Sequence, residues 1–203
     1  DVDMLKDTNG GEVRASGEAK ADKNVTGEKV YNYLNKESLE LGADSTTIAV
    51  GSGSKINSGT QSLAIGFNNT VDGDQNIAIG TGHTVKGNSN IAIGDPINID
   101  GDNNGVFGNT VTVSGSDSFV IGNNSSVTGN NTFVLGNNVK ASASDAVVLG
   151  SNSTAEANAV SVGSEGNERQ IKHVKAGTDD TDAVNVAQRN EAIDNAVGNN
   201  VVT

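Results

Sequence analysis

The sequence predicts an all-β solenoid built from turns of about fourteen residues. Short apolar runs such as IAIG and FVLG end in a glycine that recurs nine times, at Gly51, Gly66, Gly80, Gly94, Gly108, Gly122, Gly136, Gly150 and Gly163. Successive glycines are separated by 15 residues once, by 14 residues six times and by 13 residues once. A unit of fourteen residues cannot bury an apolar face alone, so this regularity indicates units stacked into one continuous coil.

The average composition, taken alone, would indicate disorder. Hydrophobic residues make up 34% of the chain, aromatic residues 3%, and the net charge is -12. The periodic placement of the apolar residues outweighs these averages, because a solenoid needs few of them. The negative charge argues against nucleic-acid binding. The absence of cysteine excludes disulfides and thiolate metal sites, and no segment is apolar enough to cross a bilayer.

The first strand of each repeat carries large apolar residues three positions and one position before the glycine. These two positions share a face because side chains alternate along a strand, and we expect that face to be the core. The earlier position holds Ile48, Leu63, Ile77, Ile91, Gly105, Phe119, Phe133, Val147 and Val160. The later position holds Val50, Ile65, Ile79, Ile93, Phe107, Ile121, Leu135, Leu149 and Val162.

Small apolar residues occupy the position between those two, on the face that we expect to point outward. A strand that is apolar on both faces is covered on both faces, so this row predicts contacts with other copies of the chain. Small side chains suit close approach around a symmetry axis, and three copies is the preferred number. The predicted trimer interface is Ala49, Ala64, Ala78, Ala92, Val106, Val120, Val134 and Val148.

A second short strand is centred five residues after the glycine, and we expect its outer face to be exposed to solvent. Its predicted inward residues are Ile56, Val71, Val85, Ile99, Val113, Val127, Ala141 and Ala155, each flanked by polar residues. One repeat departs from the pattern, since Gly105 stands where its neighbours carry Ile or Phe. Phe107 and Phe119 supply volume beside it, which indicates local repacking of a core that must stay dense.

The two ends of the chain lack the repeat. Residues 26–41 predict a short helix capped by Thr26, which would cover the first open turn of the coil. The glycine period is lost after Gly163.

Thr181 can cap a helix beginning at Asp182. The apolar residues of that helix are spaced seven and four apart, at Val186, Ile193 and Val197. This spacing predicts the start of a coiled coil.

At this point the residues carry a resemblance to a known family. The AIG-type repeats, followed by VSVGSEGNERQIKHVKAGTDDTDAVNVAQ, resemble the head and neck of the YadA-like trimeric autotransporter adhesins of Gram-negative bacteria. The match covers about residues 44–190. The positions that agree with the neck motif of that family are Gly163, Arg169, Gln170, Ile171, Val174, Gly177, Thr181, Asp182, Ala183, Val184, Asn185 and Gln188. His173, Lys175 and Arg189 depart from the motif.

The resemblance implies a left-handed parallel β-roll that forms a homotrimer. It divides the chain into an N-terminal segment at 1–43, a head at 44–163, a neck at 164–189 and the start of a trimeric coiled coil at 190–203. The neck residues that it implies are Arg169, Gln170, Ile171, Val174, Thr181, Asp182 and Asn185. It also implies a bacterial surface protein that contacts the outer membrane only through an anchor further along the chain.

By the same resemblance, the function would be adhesion to a host matrix protein or to an immunoglobulin-like receptor, including the carcinoembryonic-antigen class. We expect no catalytic activity, no cofactor and no bound metal. The candidate ligand-binding residues are Phe67, Lys86, Lys55, Tyr31 and Tyr33. Two alternatives remain open. One is a trimeric coil enzyme of the acyltransferase type, for which His83 is the candidate base or ligand rather than a hydrogen-bonded core histidine. The other is a purely structural spacer of a surface fibre.

Overall fold

The computed structural model describes residues 39–41 and 47–200, with side chains for residues 47–198. The chain divides into two compact units that meet in sequence between Asn167 and Glu168. The first unit is a parallel β-solenoid, and the second contains one helix. We call one strand–turn–strand–turn repeat of the first unit a rung.

The first strands of successive rungs hydrogen-bond side by side. This ladder consists of β2 (Ile48–Val50), β4 (Leu63–Phe67), β6 (Ile77–Thr81), β8 (Ile91–Asp100), β9 (Gly105–Val113), β10 (Phe119–Ile121), β12 (Phe133–Leu135), β14 (Val147–Leu149) and β15 (Val160–Ser161). The second ladder consists of β3 (Lys55–Ser58), β5 (Thr70–Asp72), β7 (Thr84–Lys86), β11 (Ser126–Val127) and β13 (Lys140–Ala141), and β8 and β9 are long enough to run through both ladders.

The register of the ladders follows the glycine repeat. Ile77 pairs with Ile91 and Ala78 with Ala92, so identical positions fourteen residues apart stack directly. The predicted all-β solenoid of fourteen-residue turns is therefore confirmed. Asparagines with left-handed backbone occupy its turns, as their tolerance of positive φ allows; they include Asn68, Asn124, Asn138 and Asn152.

The N-terminal edge of the first ladder is covered by a strand. β1 (Leu39–Leu41) pairs antiparallel with β2, so the prediction of a helix is wrong for these three residues. The physical reason is that the open edge of β2 offers unpaired N–H and C=O groups, which a strand can satisfy and a helix cannot. The remainder of the predicted helix and cap, including Tyr31 and Tyr33, lies outside the described residues.

The interior of the coil is lined by the small residues of the first strands, which corrects the predicted orientation. These eight residues are at most 4% exposed within a single chain and pack into its own core, so they are not available to another copy: Ala49, Ala64, Ala78, Ala92, Val106, Val120, Val134 and Val148. A coil that closes every fourteen residues has a narrow interior, so on the first strands the small side chains point inward and the large ones outward, and larger residues such as Ile97 and Ile99 fill the core from elsewhere in the rung.

The second strands supply the other side of this core, as predicted. Val71, Val85, Val113 and Val127 are fully buried, and Ile56 and Ala155 at the two ends are partly buried against the same cluster. Polar side chains complete the interior at the turns. The fourth residue before each glycine is a buried Thr, Ser or Asn in seven rungs: Thr47, Ser62, Asn76, Asn90, Asn104, Ser118 and Thr132.

The second unit contains helix α1 (Val186–Asn200), which begins four residues later than predicted. Asn185 caps it: the Asn185 Oδ1 accepts from the Gln188 N–H at 3.0 Å, and the Gln188 Oε1 accepts from the Asn185 N–H at 3.4 Å. This reciprocal pair is a capping box. The predicted cap at Thr181 is wrong, because Asn185 and Gln188 together satisfy two N–H groups at the helix start.

Candidate functional site

The outer surface of the first ladder is a continuous apolar face. It is formed by the two columns of large residues that flank the buried Ala/Val column, and we call it the outer apolar face. Ile121 is 40% exposed and Leu135 47% exposed, although both are large aliphatic side chains. Nine rungs at about 4.8 Å make this face roughly 40 Å long. The two columns are the residues listed above from Ile48 to Val160 and from Val50 to Val162, and neither contains a charged residue.

Sequence reasoning identified these residues but placed them on the wrong side of the strand. One signal could have shown the correct orientation. The fourth residue before the glycine is in phase with the Ala/Val column, and in the first seven repeats it is a Thr, Ser or Asn, such as Ser62 or Asn76. Small polar side chains that alternate with alanine suit a narrow interior in which turn backbone must be satisfied.

Phe67 extends the outer apolar face at its edge. It is 50% exposed and belongs to β4, in which Leu63, Ile65 and Phe67 alternate with the buried Ala64 and the glycine. The neighbouring position on β6 is Thr81, so the phenyl ring has a polar residue beside it in the next rung. Phe67 is therefore continuous with the outer apolar face.

The structure does not bring the predicted ligand-binding residues together on one strand. Lys55 is exposed on β3 and Lys86 on β7, with β5 between them in the second ladder. Phe67 lies on the first ladder. Lys86 pairs in register with Asp72 on one side and Asp100 on the other, so a lysine stands between two aspartates along this ladder.

Three phenyl rings interrupt the regular outer apolar face. The ring centroids of Phe107 and Phe119 are 5.8 Å apart, and those of Phe119 and Phe133 are 5.7 Å apart with nearly parallel planes. Gly105 makes room for this arrangement, because a Cβ at that position would overlap the Phe119 ring. Phe119 therefore fills the gap at Gly105 from the next rung, but this repacking lies on the outer apolar face and not in the core, where the sequence analysis placed it. A groove of about 300 Å³ lies beside Phe133 and Val147.

His83 is a buried residue at the position that Asn69 occupies in the preceding rung. Its Nδ1 accepts from the Ile97 N–H at 3.0 Å, and its Nε2 lies 3.0 Å from the Ile79 carbonyl oxygen. These partners require the neutral tautomer with hydrogen on Nε2. In the preceding rung, Asn69 accepts from the His83 N–H and donates to the carbonyl of Ile65. Both ring nitrogens are thus engaged inside the coil, which leaves neither for a base or a ligand.

Acid is expected to destabilise the coil through His83. Burial lowers the pKa of His83 below its ordinary value of 6.5, against the opposing effects of the Ile79 carbonyl and the Asp95 carboxylate. The unfolded chain therefore takes up this proton first, and the free energy of unfolding falls as the pH drops below about 6.5. Urea unfolding at pH 7.5 and pH 5 measures the loss in the native chain and in His83→Asn, which can make the bonds of Asn69. We expect a larger loss in the native chain, and equal losses would contradict the prediction.

Within residues 47–198, no group of three or more histidine, aspartate or glutamate side chains is gathered in the manner of a metal site. In the same part of the chain, every buried side-chain nitrogen and oxygen has a hydrogen-bond partner. The described part also holds no helix of the length and hydropathy needed to cross a bilayer. The buried polar side chains of the coil thus form hydrogen bonds within the chain.

Two of the predicted neck residues, Val174 and Asn185, are joined by a hydrogen bond at the start of α1 within the second unit. The Asn185 side chain donates to the Val174 carbonyl at 3.2 Å, and the Gln188 amide pairs with both the N–H and the carbonyl of Gly177 at 2.8 Å. The Asp182 carboxylate accepts from the N–H groups of Thr178 and Asp179, and these hydrogen bonds lower the pKa of Asp182. Several large apolar side chains of the second unit are exposed in the single chain: Ile171, Val184, Val186, Ile193 and Val197.

Comparison with solved structures finds the collagen-binding domain of the Yersinia adhesin YadA. The identity is 25%, the match covers 67% of this chain and 84% of that chain, and the TM-score is 0.38. Neither a protein-family model nor a curated protein sequence matches the chain. This chain is similar to that adhesin domain over 67% of its own length.

Proposed function

We propose that this chain is the head of a non-enzymatic bacterial surface adhesin that functions as a homotrimer. The observation that carries the proposal is the outer apolar face, which is about 40 Å long and free of charged residues. Isolated soluble proteins rarely expose a contiguous apolar surface of this size, so the face requires a partner. The partner is a further copy of the chain, since only an object with the same rung spacing matches a surface that repeats every 4.8 Å or so.

The C-terminal unit supports the same assembly independently. Val186, Ile193 and Val197 lie on α1 with spacings of seven and four, and all three are exposed in the single chain. Such spacing is typical of a coiled-coil seam that is buried by neighbouring helices. The proposed trimer would cover this seam and the outer apolar face of the head.

A lysine in the outer apolar face tests the trimer. Sedimentation equilibrium of the native chain is expected to show three times the 20.5 kDa of one chain. Ile121→Lys would bury a charge without a partner, so we expect its trimer dissociation constant to rise about a hundredfold or more. Thr128→Lys is the matched control, because Thr128 is an exposed residue of the same rung beside the second strand. A native chain that sediments at 20.5 kDa would overturn the proposed assembly.

The adhesive role rests on the resemblance of residues 163–188 to the adhesin neck and on the exposed residues of the head. A host matrix protein or an immunoglobulin-like receptor is the proposed ligand, and attachment to the bacterial outer membrane is the proposed location. Three copies would place equivalent sites on one particle, so weak contacts to a multivalent matrix would add through effective concentration. The first experiment is a binding screen of the native chain against immobilised collagen, fibronectin, laminin and a receptor of the carcinoembryonic-antigen class.

Phe67 and Lys86 are the first residues to test on any ligand that binds in this screen. They lie on different ladders, and Phe67 is at the edge of the face that the proposed trimer covers, so the two variants are measured separately and sedimentation of Phe67→Ala checks that the trimer is intact. Phe67→Ala is expected to weaken binding by about tenfold, since exposed aromatic residues dominate many interfaces, and Lys86→Ala by a smaller factor. Lys140→Ala, which removes an exposed lysine from a later strand of the second ladder, is the control. Unchanged binding by both test variants, with the trimer intact, would exclude these residues from the binding surface.

A further inference from the structure

Four asparagines are buried in the described coil, and only one of them, Asn104, is followed by glycine. A β-branched residue follows each of the others, in the pairs Asn69–Thr70, Asn76–Ile77 and Asn90–Ile91. The glycine is required for packing, because a Cβ at position 105 would overlap the Phe119 ring. A β-branched side chain hinders approach to its own backbone nitrogen, and glycine does not. The backbone nitrogen that follows Asn104 is therefore the least hindered of the four.

The folded coil restrains both groups that could react at this pair. Asn104 is 2% exposed; its Nδ2 donates to the Gly115 carbonyl at 2.9 Å, and its Oδ1 accepts from the Ser118 N–H at 3.0 Å. The Gly105 N–H donates to the Ser118 carbonyl at 2.9 Å. The side-chain amide of Asn104 and the backbone nitrogen of Gly105 are thus each held by hydrogen bonds inside the coil.

We propose that Asn104 is a site of spontaneous deamidation to which only the unfolded chain is susceptible, so that an unfolded chain keeps its ability to fold for a limited time. In the unfolded chain the amide and the glycine nitrogen are both free to meet, since glycine places little restriction on the backbone. The inference concerns the coil of a single chain, and it depends neither on the proposed trimer nor on a ligand.

The reaction needs only water as a second reactant. The Gly105 nitrogen attacks the Asn104 Cγ and gives up its proton, and the new N–Cγ bond closes a five-membered imide. The Cγ–Nδ2 bond breaks, and the amide nitrogen leaves with that proton as ammonia. Water then opens the imide at one of its two carbonyls. Addition at the former side-chain carbonyl gives aspartate, and addition at the main-chain carbonyl gives isoaspartate.

Neither product fits the folded coil. Aspartate has no N–H to donate to the Gly115 carbonyl, and it would place a charge against that oxygen in an interior closed to water. Isoaspartate carries the main chain through the former side chain, which adds a methylene group before Gly105. Gly105 pairs in register with Ile91, so this insertion displaces the strand against its neighbour. Both products therefore oppose refolding.

Two incubations at the same pH and temperature measure the susceptibility, one of the native chain in buffer and one in guanidinium chloride. Fragmentation mass spectrometry locates each deamidated asparagine. In guanidinium chloride we expect Asn104 to react about tenfold or more faster than Asn76 and Asn90 and as fast as Asn9, which also precedes a glycine. In buffer we expect Asn104 to react at least about a thousandfold more slowly than in guanidinium chloride, because the coil must open first.

Two variants measure the consequence for folding. Asn104→Asp creates the aspartate product without incubation, and we expect it to lower the urea midpoint strongly or to prevent folding. Asn104→Ser cannot form the imide, and serine fills the same position at Ser118 in the next rung. After long incubation in guanidinium chloride, circular dichroism should show that Asn104→Ser refolds as well as it did at the start. The refolded fraction of the native chain should fall as position 104 is modified.

Each part of the proposal has a result that would overturn it. Equal rates at Asn104 in buffer and in guanidinium chloride would show that the coil gives no protection. A rate at Asn104 in guanidinium chloride no faster than that at Asn90 would remove the site. An Asn104→Asp chain as stable as Asn104→Ser would remove the limit on refolding. The trimer is tested separately by sedimentation, so none of these results decides it.

Discussion

Gly94→Ala is expected to destabilise the coil by more than about 3 kcal/mol and to prevent folding in a marginally stable background. Gly94 has a φ of +144°, and a Cβ built on it would overlap the carbonyl oxygen of Gly108 in the next rung. The obstacle is backbone, which can move only if the rungs separate. Because the glycines that end the first strands stack on one another in this way, the repeat needs glycine for close approach as well as for backbone conformation. Urea denaturation followed by circular dichroism measures the loss.

Gly82→Ala is the matched control for this prediction. Gly82 also has a positive φ, +71°, but a Cβ there would meet only the Cβ of Pro96 at an ordinary 3.4 Å. The substitution should therefore cost only the left-handed backbone penalty of about 1–2 kcal/mol. The difference between the two variants contains the cost of separating the stacked rungs together with the greater backbone strain of alanine at a φ of +144°. If Gly82→Ala and Gly94→Ala destabilise the coil equally, close stacking is not the reason for the glycine repeat.

The periodic features of this fold could be predicted from sequence because each is repeated many times. The glycine spacing predicts the rung, and stacking of Val71 on Val85 and of Val113 on Val127 follows from it. An irregular repeat, such as the one with Gly105, does not hide a period that the other repeats establish. The side of the strand that faces inward is a different kind of question, since alternation shows which residues share a face and not which face is inside.

The orientation of the first strands, which is opposite to the predicted one, also shows how an argument from side-chain size can fail. In a wide core the largest apolar residues are the most buried, and Ile79 would be expected inside and Ala78 outside. In this narrow coil Ala78 is fully buried and Ile79 remains partly exposed. The consequence for the proposed trimer is direct, because the face of the first strands that is open to another copy consists of the large side chains instead of the small ones. That surface is larger and more apolar than the one that the sequence predicted.

The non-repeating ends were predicted less well because each depends on a single local signal. Thr181 and Asn185 are both acceptable helix caps, and the choice between them is made by Gln188, which bonds back to the Asn185 N–H. For Leu39–Leu41, pairing with the open edge of β2 overrides the helical pattern. In both places, hydrogen bonds to a specific partner outweigh intrinsic propensity.

Asn90→Leu is expected to cost about 3 kcal/mol or more, although leucine has a similar size. Asn90 is fully buried; its Nδ2 donates to the Gly101 carbonyl at 2.8 Å, and its Oδ1 accepts from the Asn104 N–H at 2.9 Å. Leucine would leave the Asn104 N–H without this acceptor and the Gly101 carbonyl without this donor, inside an interior closed to water. Urea denaturation measures the cost, and hydrogen exchange at the Asn104 amide shows whether the loss is local.

Asn90→Ser separates hydrogen bonding from size. The equivalent residue of a later rung is Ser118, whose Oγ accepts from the Thr132 N–H at 3.1 Å and lies 3.2 Å from the Gly129 carbonyl oxygen to which it donates. A serine at position 90 can therefore form the same pair of bonds, and we expect it to cost only about 1 kcal/mol despite its smaller volume. Should the serine variant be as unstable as the leucine variant, the shape of asparagine would matter more than its hydrogen bonds. If Asn90→Ser is tolerated and Asn90→Leu is not, the interior depends on side chains that hydrogen-bond to the backbone of the neighbouring rung.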